Sequence, residues 1–90
     1  MKKLLFIVNP KAGKTKSNAP LFDAVAAFSR AGYLVRVFLT EAGGEARTYA
    51  AKWGPQYDVV VCAGGDGTFN EALTGAYGFA GTAVGCLPYG

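Results

Sequence analysis

Residues 59–71 combine the residue types that bind phosphate in many proteins, and they read Val-Val-Val-Cys-Ala-Gly-Gly-Asp-Gly-Thr-Phe-Asn-Glu. The apolar, β-branched first half is typical of a strand that is buried on both faces of a parallel sheet. The glycines that follow predict a tight turn, and Thr68 and Glu71 stand three positions apart, as in the capping box of a helix N-terminus. A strand, a glycine turn and a helix N-terminus present backbone N–H groups that bind phosphate.

Asp66 stands among Gly64, Gly65 and Gly67, where a bare carboxylate repels a phosphate. A Mg²⁺ ion between the two groups removes this conflict, because it takes oxygen ligands from both. The pattern therefore favours residues 64–68 as a loop for a metal-bound phosphate, with Asp66 bound to the ion directly or through water. Two plainer interpretations stay open. Glycines serve βα turns without any ligand, and the helix dipole can stabilise the carboxylate by itself.

Two other nucleotide motifs fit this chain poorly. Residues 8–15 end in Gly-Lys-Thr, but valine replaces the first glycine of a P-loop, and Pro10 lacks one of the N–H groups that cradle phosphate. Gly65 and Gly67 match the first two glycines of the dinucleotide-binding fingerprint, but Asn70 replaces the third. Asp66 also places an acid in the loop that would contact the pyrophosphate. We therefore disfavour both a P-loop and a Rossmann cofactor site.

The rest of the chain alternates strands with helices. Apolar runs predict strands over residues 3–8, 33–39, 58–63 and 82–87. Between them, apolar residues recur at helical spacing in three segments: Leu21, Val25 and Phe28; Ala46, Tyr49, Ala50 and Trp53; and Phe69, Ala72, Leu73 and Ala76. Ser17 or Asn18 is predicted to cap the first helix and Gly32 to end it, whereas Gly54 and Pro55 end the second.

This alternation predicts an α/β fold, a three-layer doubly wound parallel sheet of four strands in the order 2-1-3-4 with helices on both faces. In this order the first and third strands are neighbours at the switch point, where the connections part to opposite faces. The loops that follow these two strands then face each other across one crevice, with Thr40 at the adjacent strand end. Motif placement and the fold rule therefore agree.

Several of these segments together resemble the diacylglycerol kinase catalytic domain family, and most closely its bacterial soluble lipid kinases. The resemblance rests on the glycine loop with Asn70 and Glu71, on residues 9–13 behind the first strand, and on Thr40-Glu41 behind the second. NAD kinases and phosphofructokinases share the Gly-Gly-Asp-Gly core but do not have all of these segments together. The resemblance implies the N-terminal domain of an NAD kinase/diacylglycerol kinase-like fold.

The family resemblance also implies a reaction and a set of contacts. Mg²⁺-bound ATP gives its γ-phosphate to a lipid hydroxyl, such as that of diacylglycerol, and Asp66 is the catalytic residue that organises the metal. The nucleotide contacts implied by the resemblance are Asn9, Pro10, Lys11, Ala12, Gly13, Thr40, Gly64, Gly65, Asp66, Gly67, Thr68, Phe69, Asn70 and Glu71. The catalytic base and the lipid pocket are not assigned.

Composition restricts the partners and the compartment. The 90 residues suit one small globular domain, and the absence of histidine excludes Ser-His, Cys-His and His-metal chemistry. Five of the nine Lys and Arg residues fall within the first sixteen positions, so the net charge of +3 is local and does not indicate a nucleic-acid surface. Cys62 and Cys86 lack metal or redox spacing and are predicted to be buried thiols. Without a signal peptide or a membrane span, we expect a cytoplasmic protein with peripheral membrane contact.

The predicted fourth strand is followed by Pro88, Tyr89 and Gly90 without a closing helix. In the family, a Pro-x-Gly-Thr loop and a second, mainly β domain come next. We therefore expect residues 1–90 to be the nucleotide-binding part of a longer kinase, inactive alone and able to form a homodimer. Two alternatives stay open, an NAD kinase with a soluble dinucleotide acceptor and a non-catalytic flavodoxin-like nucleotide-binding or interaction module.

Overall fold

The computed structural model describes residues 1–9, 19–41, 44–64 and 83–88. These residues form, in chain order, β1 (Lys2–Val8), α1 (Ala19–Arg30), β2 (Tyr33–Leu39), α2 (Glu45–Trp53), β3 (Val59–Gly64) and β4 (Ala83–Pro88). A short 3-10 turn over Gly54–Gln56 follows α2. The predicted cap at Ser17 or Asn18 and the predicted helix from Thr68 lie outside the described residues.

The four strands form one parallel sheet in the order β2-β1-β3-β4. This order confirms the sequence prediction. The chain moves from β1 outward to β2, then back across β1 to β3. Because crossovers between parallel strands are right-handed, this reversal sends the two connecting helices to opposite faces of the sheet.

The central strand β1 is buried on both faces. Its residues from Leu4 to Val8 are each at most 2% exposed. Successive side chains of a strand alternate between faces, so Leu4, Phe6 and Val8 pack with α1 whereas Leu5 and Ile7 pack with α2. The apolar run of β1 is therefore explained by a helix on each side.

Helix α1 covers the first of these faces through the residues that the sequence predicts. Leu21, Val25 and Phe28 pack against the Leu4, Phe6 and Val8 side of β1. The Phe28 ring meets Phe6 edge to face, with ring centroids 5.5 Å apart. The predicted end of the helix is also confirmed, because Gly32 has a φ of +96° and its N–H donates to the Ser29 carbonyl at 3.0 Å.

Helix α2 covers the other face with small residues at its centre. Ala46 and Ala50 are buried, while Tyr49 and Trp53 are partly buried and stack on the ring of Phe38, with centroid distances of 4.9 and 5.9 Å. These four positions are the predicted apolar stripe.

Helix α2 ends at Trp53, as predicted, but the break is not made by the glycine. Gly54 keeps right-handed helical angles, and its N–H still donates to the Ala50 carbonyl. Pro55 comes next, and it has no N–H with which to continue the helical hydrogen bonds. The proline therefore accounts for the change to a 3-10 turn.

The other boundaries shift by one residue at most. β1 begins at Lys2, β3 runs over Val59–Gly64 and β4 over Ala83–Pro88, against predictions of 3–8, 58–63 and 82–87. Cys62 is buried as predicted, with its thiol 3.6 Å from the Gly85 carbonyl. In the part of the chain described, neither helix has the length and apolarity needed to cross a membrane.

Candidate functional site

The carboxyl ends of the three neighbouring strands β2, β1 and β3 meet at one edge of the sheet. The parallel register pairs Val8 with Leu39 on one side and with Ala63 on the other. Asn9, Thr40 and Gly64 follow or end these strands directly. The structure thus brings together three residues for which the sequence predicts nucleotide contacts, and they lie at the switch point where doubly wound sheets bind ligands.

Hydrogen bonds fix the peptide group between Val8 and Asn9 from both sides. The N–H of Asn9 donates to the Ala63 carbonyl at 2.9 Å, on the β3 side. On the β2 side, the Val8 carbonyl accepts the N–H of Thr40 at 2.8 Å and the Thr40 hydroxyl at 3.3 Å. Because a peptide group is planar, these bonds define the position in which the chain leaves β1.

Thr40 is a buried polar residue, with 6% of its surface exposed. Its hydroxyl faces the backbone of β1, as the hydrogen bond to Val8 requires. A buried hydroxyl is costly without a partner, and this bond removes that cost. The family resemblance implies a nucleotide contact for Thr40 but gives no indication of this bond, because the bond joins residues that are 32 positions apart in the sequence.

A hydrogen bond also joins Glu41 to the first turn of α2. The Glu45 carboxylate accepts the backbone N–H of Glu41, four residues earlier. Gly44, with a φ of +89°, precedes the helix, and the Thr48 hydroxyl donates to its carbonyl at 3.2 Å. Glu45 is also favourably placed against the positive end of the α2 dipole. Sequence reasoning did not select Glu45, although an acid just after a glycine is a signal of a helix start.

Most of the predicted site lies outside the described residues. These residues are Pro10, Lys11, Ala12, Gly13, Gly65, Asp66, Gly67, Thr68, Phe69, Asn70 and Glu71. Their roles, and the role of Asp66 toward Mg²⁺, stay predictions. Within the described ranges, no cluster of three or more Cys, Asp and Glu side chains is suited to hold a metal ion.

One described depression lies beside α2. It has a volume of about 650 Å³ and is lined by residues of α2 and its N-cap, namely Gly44, Arg47, Thr48, Ala51 and Lys52. These positions alternate with the buried Ala46 and Ala50, so the depression lies on the side of α2 that faces away from the sheet. It contains none of the residues that the sequence selects for chemistry, and we base the site on the strand ends instead.

Residues 3–90 match a family model described as the diacylglycerol kinase catalytic domain. A diacylglycerol kinase of Staphylococcus saprophyticus is 40% identical over 75 residues, which cover 82% of this chain and 25% of that protein. A diacylglycerol kinase of a bovine strain of Staphylococcus aureus is 39% identical over 75 residues, covering 82% of this chain and 24% of that protein. The chain therefore spans about a quarter of the length of the curated relatives it matches.

The fold is also similar to that of a solved structure. The crystal structure of a diacylglycerol kinase from Bacillus anthracis superposes with a TM-score of 0.79 and 28% identity. The superposition covers 99% of this chain and 33% of that one. The match includes nearly all of the present chain, so the doubly wound sheet and its strand ends belong to the shared part.

Proposed function

This chain belongs to the diacylglycerol kinase catalytic domain family, and we propose that it is the ATP-binding part of a lipid kinase. The reaction moves the γ-phosphate of ATP to the hydroxyl of a lipid such as diacylglycerol. The observation that carries the proposal is that, in a chain of this family, the carboxyl ends of β1 and β3 lie side by side. The backbone N–H of Asn9 donates a hydrogen bond to the Ala63 carbonyl at this junction. Ligands of doubly wound sheets bind at such a junction.

The proposed nucleotide site has two walls. One is formed by residues 9–13, which follow β1, and the other by residues 64–71, which begin at the end of β3. The glycine turn and the helix N-terminus that the sequence predicts in the second wall would supply N–H groups to the phosphates. Gly64 is buried at the end of β3, so the loop starts from a fixed point of the sheet.

Phosphoryl transfer depends mainly on positioning and on stabilising charge, which suits a site built from backbone groups. The lipid hydroxyl oxygen bonds to the γ-phosphorus, its proton passes to a base, and the bond from the γ-phosphorus to the bridging β-phosphate oxygen breaks, which leaves ADP. Asp66 is our candidate to hold Mg²⁺, directly or through water, because carboxylate and phosphate oxygens are the ligands that this ion prefers. Bound Mg²⁺ neutralises part of the phosphate charge.

The other groups that the reaction needs are expected in sequence outside this chain. The chain spans about a quarter of its curated relatives, and we infer that the base for the lipid hydroxyl and the lipid pocket lie in the portion that it does not cover. By itself the chain is therefore expected to bind ATP without phosphorylating lipid. Because the proposed substrate is a lipid, we also propose that the kinase contacts the membrane surface from the cytoplasmic side.

Calorimetric titration of the chain tests the proposal directly. We expect saturable binding of ATP in the presence of Mg²⁺, loss of this binding in EDTA, and weaker or no binding of NAD. A preference for NAD would instead indicate a kinase with a dinucleotide acceptor. No binding of either ligand by a folded, monomeric chain would favour a non-catalytic module and reject the proposal.

A further inference from the structure

We propose that Thr40 is a positioning residue for the nucleotide site: its buried hydroxyl holds the peptide group between Val8 and Asn9, and so sets the position of Asn9 at the crevice. This inference rests on the proposed function, because only a nucleotide-binding chain has a nucleotide for Asn9 to contact at the crevice. In this role Thr40 acts on the site through the β1 backbone and not by touching the nucleotide.

The hydroxyl makes a bond that the sheet itself does not need. A parallel ladder between β1 and β2 is continued by the N–H of Thr40, which reaches the Val8 carbonyl at 2.8 Å. The hydroxyl adds a second donor to the same carbonyl at 3.3 Å. With 6% of Thr40 exposed, water cannot readily replace this donor, so the second bond restricts how the carbonyl turns.

The restriction passes directly to Asn9. The Val8 carbonyl and the Asn9 N–H belong to one planar peptide group, and the Asn9 N–H donates to the Ala63 carbonyl at 2.9 Å. A rotation of this group weakens the bonds on both sides at once. Thr40, which follows β2, is thereby coupled to the end of β1 and to Ala63, the residue before Gly64. Small displacements of positioning groups have large effects on reactive geometry.

Substitutions at Thr40 separate the effect of the hydroxyl from that of the shape of the side chain. Thr40→Val removes the hydroxyl and keeps a β-branched side chain of similar size, whereas Thr40→Ser keeps the hydroxyl and loses the methyl group. Thr48→Val is the matched control, because the Thr48 hydroxyl also donates to a backbone carbonyl, that of Gly44 at 3.2 Å, but on the exposed surface of α2. Thr40→Ala repeats the deletion should Thr40→Val not fold.

The first measurement follows amide hydrogen exchange at Asn9. We expect Thr40→Val to speed exchange at this amide by about tenfold, the change expected for the loss of one buried hydrogen bond. Amides in the middle of β3 should keep their exchange rates. Thr40→Ser should restore the slow exchange, and Thr48→Val should leave the Asn9 rate as it is. A uniform rise across the sheet would show a general loss of stability and would overturn the inference.

The second measurement is Mg²⁺-ATP affinity, combined with Asn9→Ala in a double-mutant cycle. We expect Thr40→Val to weaken binding by about five- to tenfold, and the double variant to bind no worse than Asn9→Ala alone, since coupled residues are not additive. Additive losses would identify Thr40 as a direct nucleotide contact and overturn the positioning role. If the unsubstituted chain does not bind Mg²⁺-ATP, the proposed function of the chain fails, and exchange at Asn9 alone decides whether Thr40 positions it.

Discussion

Asp58 links the amino end of β1 to the start of β3. Its carboxylate accepts the Lys3 N–H at 2.8 Å, and its own N–H donates to the Lys3 carbonyl at 2.9 Å. Asp58→Ala removes the first bond and keeps the second. Because Lys3 is exposed and its N–H can bond to water, we expect a loss of about 1 kcal/mol in the free energy of unfolding, measured by urea denaturation.

The controls for Asp58 separate the hydrogen bond from the charge. Asp58→Asn keeps an oxygen acceptor and should lose less than half as much stability as Asp58→Ala. Asp23→Ala, at an exposed position of α1, should stay within about 0.5 kcal/mol of the unsubstituted chain. An Asn variant as unstable as the Ala variant would show that the carboxylate charge matters more than the bond.

Asp66 is the residue on which the proposed metal role depends. Asp66→Asn removes the negative charge while keeping the size of the side chain, and we expect the Mg²⁺-dependent affinity for ATP to fall by about 10- to 100-fold. Urea denaturation should show a folded variant. Asp23→Asn serves as the matched control, with the same chemical change at an exposed position of α1. Unchanged affinity in Asp66→Asn would remove Asp66 from the mechanism.

For single residues, a place in the candidate site was easier to predict than the hydrogen-bond partner. The family resemblance identifies Thr40 as a candidate, and the structure brings it to the same edge as Asn9 and Gly64. The hydroxyl bond to Val8 was not predictable, because it depends on a pairing between residues 32 positions apart. The Glu45 bond to Glu41 is local, yet its pattern is also compatible with an ordinary helix start.

At the scale of elements, Gly32 is the clearest test of a helix end. Its φ is +96°, and a Cβ added there would meet no atom within 4 Å. Gly32→Ala should therefore cost only backbone strain, about 1 kcal/mol in the free energy of unfolding. Gly32→Asn should cost less, because asparagine tolerates this conformation better than alanine.

Gly85 supplies the matched control for Gly32. It lies inside β4 without a positive φ, and an added Cβ would make an ordinary contact of 3.8 Å with Val61. We expect Gly85→Ala to leave stability unchanged or to raise it slightly, because alanine restricts the unfolded chain. Thermal unfolding of both variants makes the comparison. Equal losses at the two positions would contradict the strain account of Gly32.

Elements were predictable where packing and local signals agree. The bounds of β2 match the prediction in full, since Gly32 precedes the strand and apolar residues fill it. The β3 and β4 bounds shift by one residue, because hydrogen bonding to neighbouring strands decides where a strand ends. The stacking of Phe38 with Tyr49 and Trp53 joins different elements, so the apolar spacing of α2 indicates its buried face but not this partner.

At the scale of the whole molecule, the fold was predictable because few topologies satisfy the pattern. A five-residue apolar run in β1 requires cover on both faces, and alternating helices supply it through right-handed crossovers. The β2-β1-β3-β4 order then brings the ends of β1 and β3 together. The predicted order already places β2 at an edge of the four strands, but its apolar pattern, which is also typical of a buried strand, does not indicate which of its side chains are exposed.

The edge strand β2 leads to a prediction about association. Among the described strands β2 pairs only with β1, and Leu34, Val37 and Leu39 on it are 55%, 44% and 57% exposed. An apolar edge of this kind promotes pairing between chains, and lysine at such a position opposes it. We expect Val37→Lys to reduce self-association measured by sedimentation velocity at high protein concentration, with a change in unfolding free energy within about 0.5 kcal/mol.

Val35→Lys is the matched control, because Val35 lies two residues earlier on the same face of β2 and packs partly buried against the core on the α1 side. A lysine there must place its charge in or beside that core, so we expect a loss of several kcal/mol in unfolding free energy. Exposure, and not residue type, thus decides the outcome at two valines of one strand. Equal stability losses in the two variants, or unchanged self-association in Val37→Lys, would show that Val37 is covered in solution and that β2 is not the edge through which chains pair.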